Sequence, residues 1–262
     1  TLDSVTFIGA QTINTGSNLR FTSGGVTNNG DLTNNGIIQA VSSFTLGGTG
    51  RVILTAPANN LDASYIYFNG GGEVVTNGTD HTIAGRGRVY TYFANAGTIS
   101  PGATAGQSAT IDFRSPLTFT STGLLDIEIG GDTEFDTITS VSSVNLGNGR
   151  LRVRTYNAYT PNYNQTFDIL TCSSRSGVFA DVDAPGFQVE YLADRVRLRV
   201  ICDGDFNQDG NVDQGDVDFL INVIAGGGTS PFLSPDFNRD GNVDQGDIDA
   251  LINVIAGGAC QQ

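Results

Sequence analysis

The 262-residue sequence has no Lys, Met or Trp, a single His and three Cys. With no Lys, all 13 basic residues are Arg, against 27 acidic residues and a net charge of −14. No basic stripe offsets that charge, which argues against a nucleic-acid partner. No apolar run approaches the roughly 20 residues that cross a bilayer as a helix. The lone histidine, His81, lies in the polar turn Thr79-Asp-His-Thr, without a nucleophile signature beside it, so a Ser-His-Asp centre is not expected. Three cysteines, Cys172, Cys202 and Cys260, allow one disulfide and leave one thiol. The chain opens on Thr with no visible signal peptide, and we read it as a mature exported form.

The sequence is instead rich in Gly, with 35 residues, and in short alternating segments. Within residues 1–100, Thr45-Leu-Gly-Gly-Thr-Gly-Arg-Val resembles Thr82-Ile-Ala-Gly-Arg-Gly-Arg-Val at an offset of 37. Leu32-Thr-Asn-Asn-Gly-Ile-Ile resembles Phe93-Ala-Asn-Ala-Gly-Thr-Ile, and Asn-Asn-Gly recurs at an offset of six from Asn28 to Gly36. Helical periodicity is absent. Strands of three to six residues alternate with Gly or Asn corners, where positive φ is tolerated. This pattern predicts a right-handed β-solenoid or β-helix over residues 1–202, with a β-sandwich as the rival fold. Longer alternating segments such as Gly123–Gly130 and Arg195–Ile201 predict that residues 110–202 form either the end of the solenoid or a cap on its open edge. Gly97-Thr-Ile-Ser-Pro-Gly102 and the Gly-rich turns resemble segments of autotransporter-type β-helical passengers.

The acidity is concentrated after residue 202, where 11 Asp face one Arg. There a 12-residue motif occurs twice, at Asp205–Asp216 and Asp236–Asp247, offset by 31 residues. Asp-x-Asn-x-Asp-Gly is the spacing of a calcium loop, because Ca²⁺ takes six to eight oxygen ligands from carboxylates, amides and carbonyls. The expected donors are Asp205, Asn207, Asp209, the Asn211 carbonyl, Asp213 and Asp216 in the first loop. Asp236, Asn238, Asp240, Asn242, Asp244 and Asp247 match them in the second, which gives two Ca²⁺ ions. Gly210 and Gly241 supply the sharp bend. Val217, Leu220, Ile221 and Ile224, matched by Ile248, Leu251, Ile252 and Ile255, lie at helical spacing and predict a small core between two helices.

Two loops, each followed by one helix and closed by Asp where an EF-hand has Glu, resemble a dockerin module over residues 203–258. The resemblance implies docking onto a cohesin-type partner. It also implies partner-choosing positions at Gln214 and Gly215 and at Gln245 and Gly246, a Gln-Gly pair unlike the Ser-Thr of well-known members. Chain ends lie close together in such modules, so a Cys202–Cys260 clasp is preferred over Cys172–Cys202.

No catalytic constellation is visible. Asp126 and Glu128 form a strand-face carboxylate pair, Asp181 and Asp183 offer a further cation site, and Tyr65, Tyr67, Phe68, Tyr90, Tyr92 and Phe93 suggest an aromatic strip. An exposed strand face or a packed ladder accounts for each. The function expected is that of an extracellular structural or adhesive protein, not an enzyme. Its module would dock onto a cohesin-like protein or another copy of the chain, with filaments as one outcome. The alternative is a dockerin-bearing carbohydrate-active or carbohydrate-binding protein with a polysaccharide ligand.

Overall fold

A computed structural model describes residues 4–260 apart from 23, 69, 71, 231, 232 and 259. The chain divides into two compact units. One comprises residues 1–159, 167–183 and 190–197, and the other residues 160–166, 184–189 and 198–262.

The first unit is a β-solenoid with three faces per rung. The first face is an eight-stranded sheet beginning with Val5–Phe7 and Val26–Asn28 and ending with Ser174–Ser176. The second begins with Gln11–Ile13 and Asp31–Asn34, the third with Asn18–Phe21 and Ile37–Ala40. The long strand Thr82–Tyr90 serves both, its residues 82–86 on the second face and 88–90 on the third. Successive rungs pair in parallel, so one side chain of each rung falls on its counterpart in the next. Leu32, Val52, Ile83, Ile99, Leu125 and Leu151 form such a buried column. Phe21 against Phe44 and Phe93 against Phe113, with centroids 5.4 and 5.5 Å apart, fill the interior between faces.

The steps along that column are 20, 31, 16, 26 and 26 residues. This irregularity corrects the repeat at offset 37, because Thr45 stacks on Thr76 and not on Thr82. Leu32 and Phe93 likewise lie on different faces. The Asn-Asn-Gly pair marks two successive corners of one rung. Neither glycine there has positive φ. A Cβ on Gly30 would lie 2.2 Å from the Gly9 carbonyl oxygen, and one on Gly36 would lie 2.5 Å from that of Ser17, so the preceding rung excludes a side chain. The corner asparagines turn inward. Asn34 accepts from the Gly36 N–H at 3.1 Å and donates to the Tyr65 carbonyl one rung on at 3.3 Å. Asn77 donates to Asn95 at 2.7 Å, and both are buried.

Residues 110–183 continue the three-faced rungs. After Asp181–Asp183 the pattern changes to a hairpin, Phe187–Leu192 and Arg195–Val200, whose second strand extends the third face beside Thr166–Thr171. Hydrogen bonds from Cys172 to Asp194 and from Val200 to Gln165 show that it runs antiparallel to its neighbour. The stack therefore ends in a reversed strand.

Several arginines of the solenoid pair with carboxylates between rungs. Arg51 grips Asp31 through two nitrogens at 2.9 and 2.6 Å, Arg152 grips Asp126 at 2.8 and 2.5 Å, and Arg195 and Arg197 share Asp168. A planar guanidinium bridges a carboxylate on the adjacent strand by two parallel bonds, which an ammonium does not. Arg51, Arg152 and Arg197 therefore make contacts that a lysine could not reproduce.

Candidate metal and docking module

The C-terminal unit contains the two acidic loops and the helices α1, Gln214–Ile224, and α2, Gln245–Ile255. Each helix starts in a capping box. The side chain of Asp213 accepts from the Gly215 N–H at 2.8 Å, and Asp216 accepts from the Asp213 N–H at 2.8 Å. Asp244 and Asp247 repeat both bonds in α2. Two orphan N–H groups are satisfied in each case, and the carboxylates face the positive helix end. The position-12 side chains also reach back into the loops. Asp216 accepts from the Asn207 N–H at 3.1 Å and Asp247 from the Asn238 N–H at 3.0 Å, and both carboxylates are buried.

Within the loops, the Gly210 N–H donates to Asp205 at 3.0 Å and the Gly241 N–H to Asp236 at 3.1 Å. These glycines adopt φ of 88° and 90°, as the predicted bend requires. Asn207 and Asn238 accept from the Asp209 and Asp240 N–H groups. Asp209 and Asp240 are held below the usual carboxylate range, first by the backbone N–H of Asn211 and Asn242. Asp213 and Asp244 are helix caps, and the Asn211 and Asn242 side chains donate to Asp209 and Asp240.

All candidate donors are oxygens, the chemistry a hard divalent cation requires. Among the described residues no three His, Cys, Asp or Glu side chains converge into a metal cluster, so the donor set must draw on Asn and carbonyl oxygens as well. One atom fits a cation directly. The Asp236 Oδ1 is buried with no hydrogen-bond partner, although buried carboxylate oxygens are costly when unpaired. The residues present therefore fit calcium.

The core beneath the loops holds Val217, Leu220, Ile248 and Leu251, with Ile224 and Ile255 packed at its edge. Ile221 and Ile252 depart from the helical-spacing reading, being 43% and 47% exposed. Their places are taken by Phe206 and Phe237, whose rings meet edge-on at 5.5 Å, and by Ala250. An apolar residue at position 2 of both loops was the available signal. Cys202 and Cys260 are joined, with Cα atoms 6.1 Å apart, and both pack on this core. Cys172 is free, its thiol pushed up by burial.

Gln214, Gly215, Gln245 and Gly246 lie in the first helical turns. Gln214 and Gln245 are exposed and donate to Asp218 and Asp249 at 3.1 Å. A Cβ at Gly215 or Gly246 would lie 3.0 Å from the Asn207 or Asn238 side-chain nitrogen, a tight approach that couples these positions to the loops. Val212 and Val243 are 45% and 48% exposed, so each repeat exposes the same two apolar residues, a Val before the helix and an Ile within it.

The other candidates in the solenoid are engaged. His81 is buried. Its Nδ1–H donates to Asn77 Oδ1 at 2.7 Å and its Nε2 accepts from Asn28 at 3.3 Å. Asp126 pairs with Arg152, and Glu128 accepts from the Gly106 N–H at 2.6 Å. Asp181 and Asp183 pair with Arg150 and Arg154, which explains them without a cation. The six-residue aromatic strip does not form as one surface. Phe68 and Phe93 are buried, Tyr92 is on the first face, and only Tyr65, Tyr67 and Tyr90 lie together on the third.

No curated protein matches the chain. No helix among the described residues is long and apolar enough to cross a membrane. Dockerin type I domains bind calcium and dock onto cohesins, and residues 203–256, the segment that holds both loops and both helices, match the family model of the dockerin type I domain.

Proposed function

We propose that this is an extracellular, non-catalytic structural protein whose C-terminal module, loaded with one calcium ion in each loop, couples the solenoid to a cohesin-like receptor. The carrying observation is the duplication of one surface. Both repeats expose the same three residues after a loop whose oxygens suit calcium, Val212, Gln214 and Ile221 in the first and Val243, Gln245 and Ile252 in the second. Exposed apolar side chains beside polar ones are the composition of a docking patch. In each loop calcium would be held by the six positions from Asp205 to Asp216 or from Asp236 to Asp247, and its charge would fix loop and helix start together. A non-catalytic role is supported by His81, Asp126 and Glu128, each committed to a structural hydrogen bond or ion pair.

Binding of the full chain to a panel of immobilised cohesin domains, with calcium and with EDTA, tests this reading. Calcium-dependent capture by at least one cohesin, lost in a Val212→Asp/Val243→Asp variant, is expected. Capture that ignores both calcium and the variant would overturn it. Sedimentation of the free chain with calcium separates docking onto a second copy, and hence filaments, from docking onto a different protein.

One observation favours the carbohydrate-binding alternative. Tyr65, Tyr67 and Tyr90 line a groove of about 280 Å³ with Asp62, which binds Tyr90 and Arg88. Aromatic faces beside a carboxylate suit a sugar ring. Retention in a polysaccharide-loaded native gel, compared with Tyr67→Ala, would distinguish it.

A further inference from the structure

The two loops are alike in sequence apart from position 4, which is Gln208 in the first and Arg239 in the second. Both residues adopt φ of 60°, yet their side chains do different things. Gln208 folds back and donates to the Asp205 carbonyl at 2.8 Å, within its own loop. Arg239 leaves its loop and lies over the ring of Tyr163, its guanidinium carbon 3.7 Å from the ring centroid. The Tyr163 hydroxyl donates to the Phe237 carbonyl at 3.0 Å, so Tyr163 holds the second loop at positions 2 and 4. Burial pushes the Tyr163 phenol up, which keeps this donor protonated. Tyr163 belongs to residues 160–166, part of the same compact unit.

The position-1 aspartates differ correspondingly. Asp205 uses both oxygens inside its loop, Oδ1 accepting from the Asp209 N–H and Oδ2 from the Gly210 N–H. Asp236 accepts from Gly241 through Oδ2 alone, and its buried Oδ1 has no partner. A small cavity of about 40 Å³ lies behind it, lined by Tyr163, Asp203, Asp236 and Arg239 among others.

From this contrast we infer that the two calcium sites are inequivalent: Tyr163 clamps the second loop open around an unsatisfied Asp236 oxygen, so that the second loop binds calcium first and more tightly. This rests on the calcium-loaded dockerin reading above. Two effects act in the same direction. A loop already tied down at two positions loses less conformational freedom when it closes on an ion. A buried carboxylate oxygen without a donor gains the whole of a new ligand bond, whereas Asp205 must share an oxygen already used. The positive charge of Arg239 opposes calcium, since its buried Nη1 also lacks a partner and Arg239 lines the same cavity as Asp236, so the clamp must outweigh that charge.

Tyr163 also supplies the readout. Residues 203–262 contain no Tyr and the chain no Trp, so tyrosine-sensitised terbium luminescence reports the loop beside Tyr163. Calorimetric titration of the calcium-depleted full chain should show two steps separated by at least tenfold in Kd. Terbium emission should saturate in the first step. Tyr163→Ala should abolish the emission and merge the two calorimetric steps, and Arg239→Gln, which leaves Tyr163 in place, should narrow their separation. Two calcium sites of equal affinity in the wild type, or two steps left unchanged by Tyr163→Ala, would overturn the inference. No calcium uptake at all would instead defeat the underlying calcium reading.

Discussion

His81 shows how a residue type associated with catalysis becomes structural. The Asn77 carbonyl can only accept, which fixes the proton on Nδ1, and Nε2 is left as acceptor for Asn28. Protonation would place a second hydrogen against the Asn28 amide. Burial accordingly lowers the His81 pKa to about 4 from 6.5. A folded-state value below the unfolded one means that the unfolded chain binds the proton more readily. Stability from His81 is therefore complete above about 6.5 and is lost as pH falls through about 4, by about 3 kcal/mol. Asp136 runs the other way. Burial pushes it up to about 8, against N–H donors from Glu128 and Ala109 at 3.0 Å. Its contribution is complete below about 3.8 and is lost as pH rises through about 8. Urea unfolding of the wild type and of His81→Gln at pH 7 and pH 4.5 separates the two. The wild type should lose more stability than the variant on acidification, and equal losses would contradict the assignment. None of this was legible in the sequence, where Thr79-Asp-His-Thr looks like any polar turn. The inward orientation comes from a corner whose position depends on uneven rung lengths.

At the level of single elements, the helices and loops of the C-terminal unit could be read almost residue by residue. The donor types and spacing pointed to the loops, whereas Asp213, Asp216, Asp244 and Asp247, read from the sequence as calcium donors, also form the capping boxes of α1 and α2. The helix faces were harder to read, because Ile221 and Ile252 fit the helical spacing of a core but lie outside it while Phe206 and Phe237 fill it from the loops. Spacing along one helix cannot anticipate a side chain contributed from a preceding loop. In so small a core, Leu251→Ala should cost about 2–5 kcal/mol, enough to unfold the helices without calcium. Circular dichroism at 222 nm measures this. The Cys202–Cys260 bridge closes 58 residues, and its removal should cost about 4 kcal/mol. Cys202→Ala/Cys260→Ala should therefore lower the midpoint of helix melting while leaving the melting of the solenoid in place.

For the whole molecule, two compact units with separate cores imply two unfolding transitions. Calcium should move only the C-terminal one, because an ion that binds the folded loops stabilises them by mass action. In scanning calorimetry, EDTA is expected to shift a small transition downward and leave a larger one unchanged. A single transition that moves as a whole would contradict this. The solenoid could be anticipated as a class from its short strands and Gly or Asn corners, but its register could not, since steps of 16 to 31 residues hide the repeat from any fixed-offset comparison. The same irregularity has a consequence for how such a chain can change length. Each rung adds about 4.8 Å along the stack whether it uses few residues or many. Distance along the solenoid is therefore counted in rungs and not in residues. Extra residues leave at the corners as loops, and only the gain or loss of a complete turn alters the reach of the protein. An insertion between Thr55 and Leu61 would change what the surface displays at a fixed height, whereas excision of one 26-residue turn would shorten the solenoid by a single step.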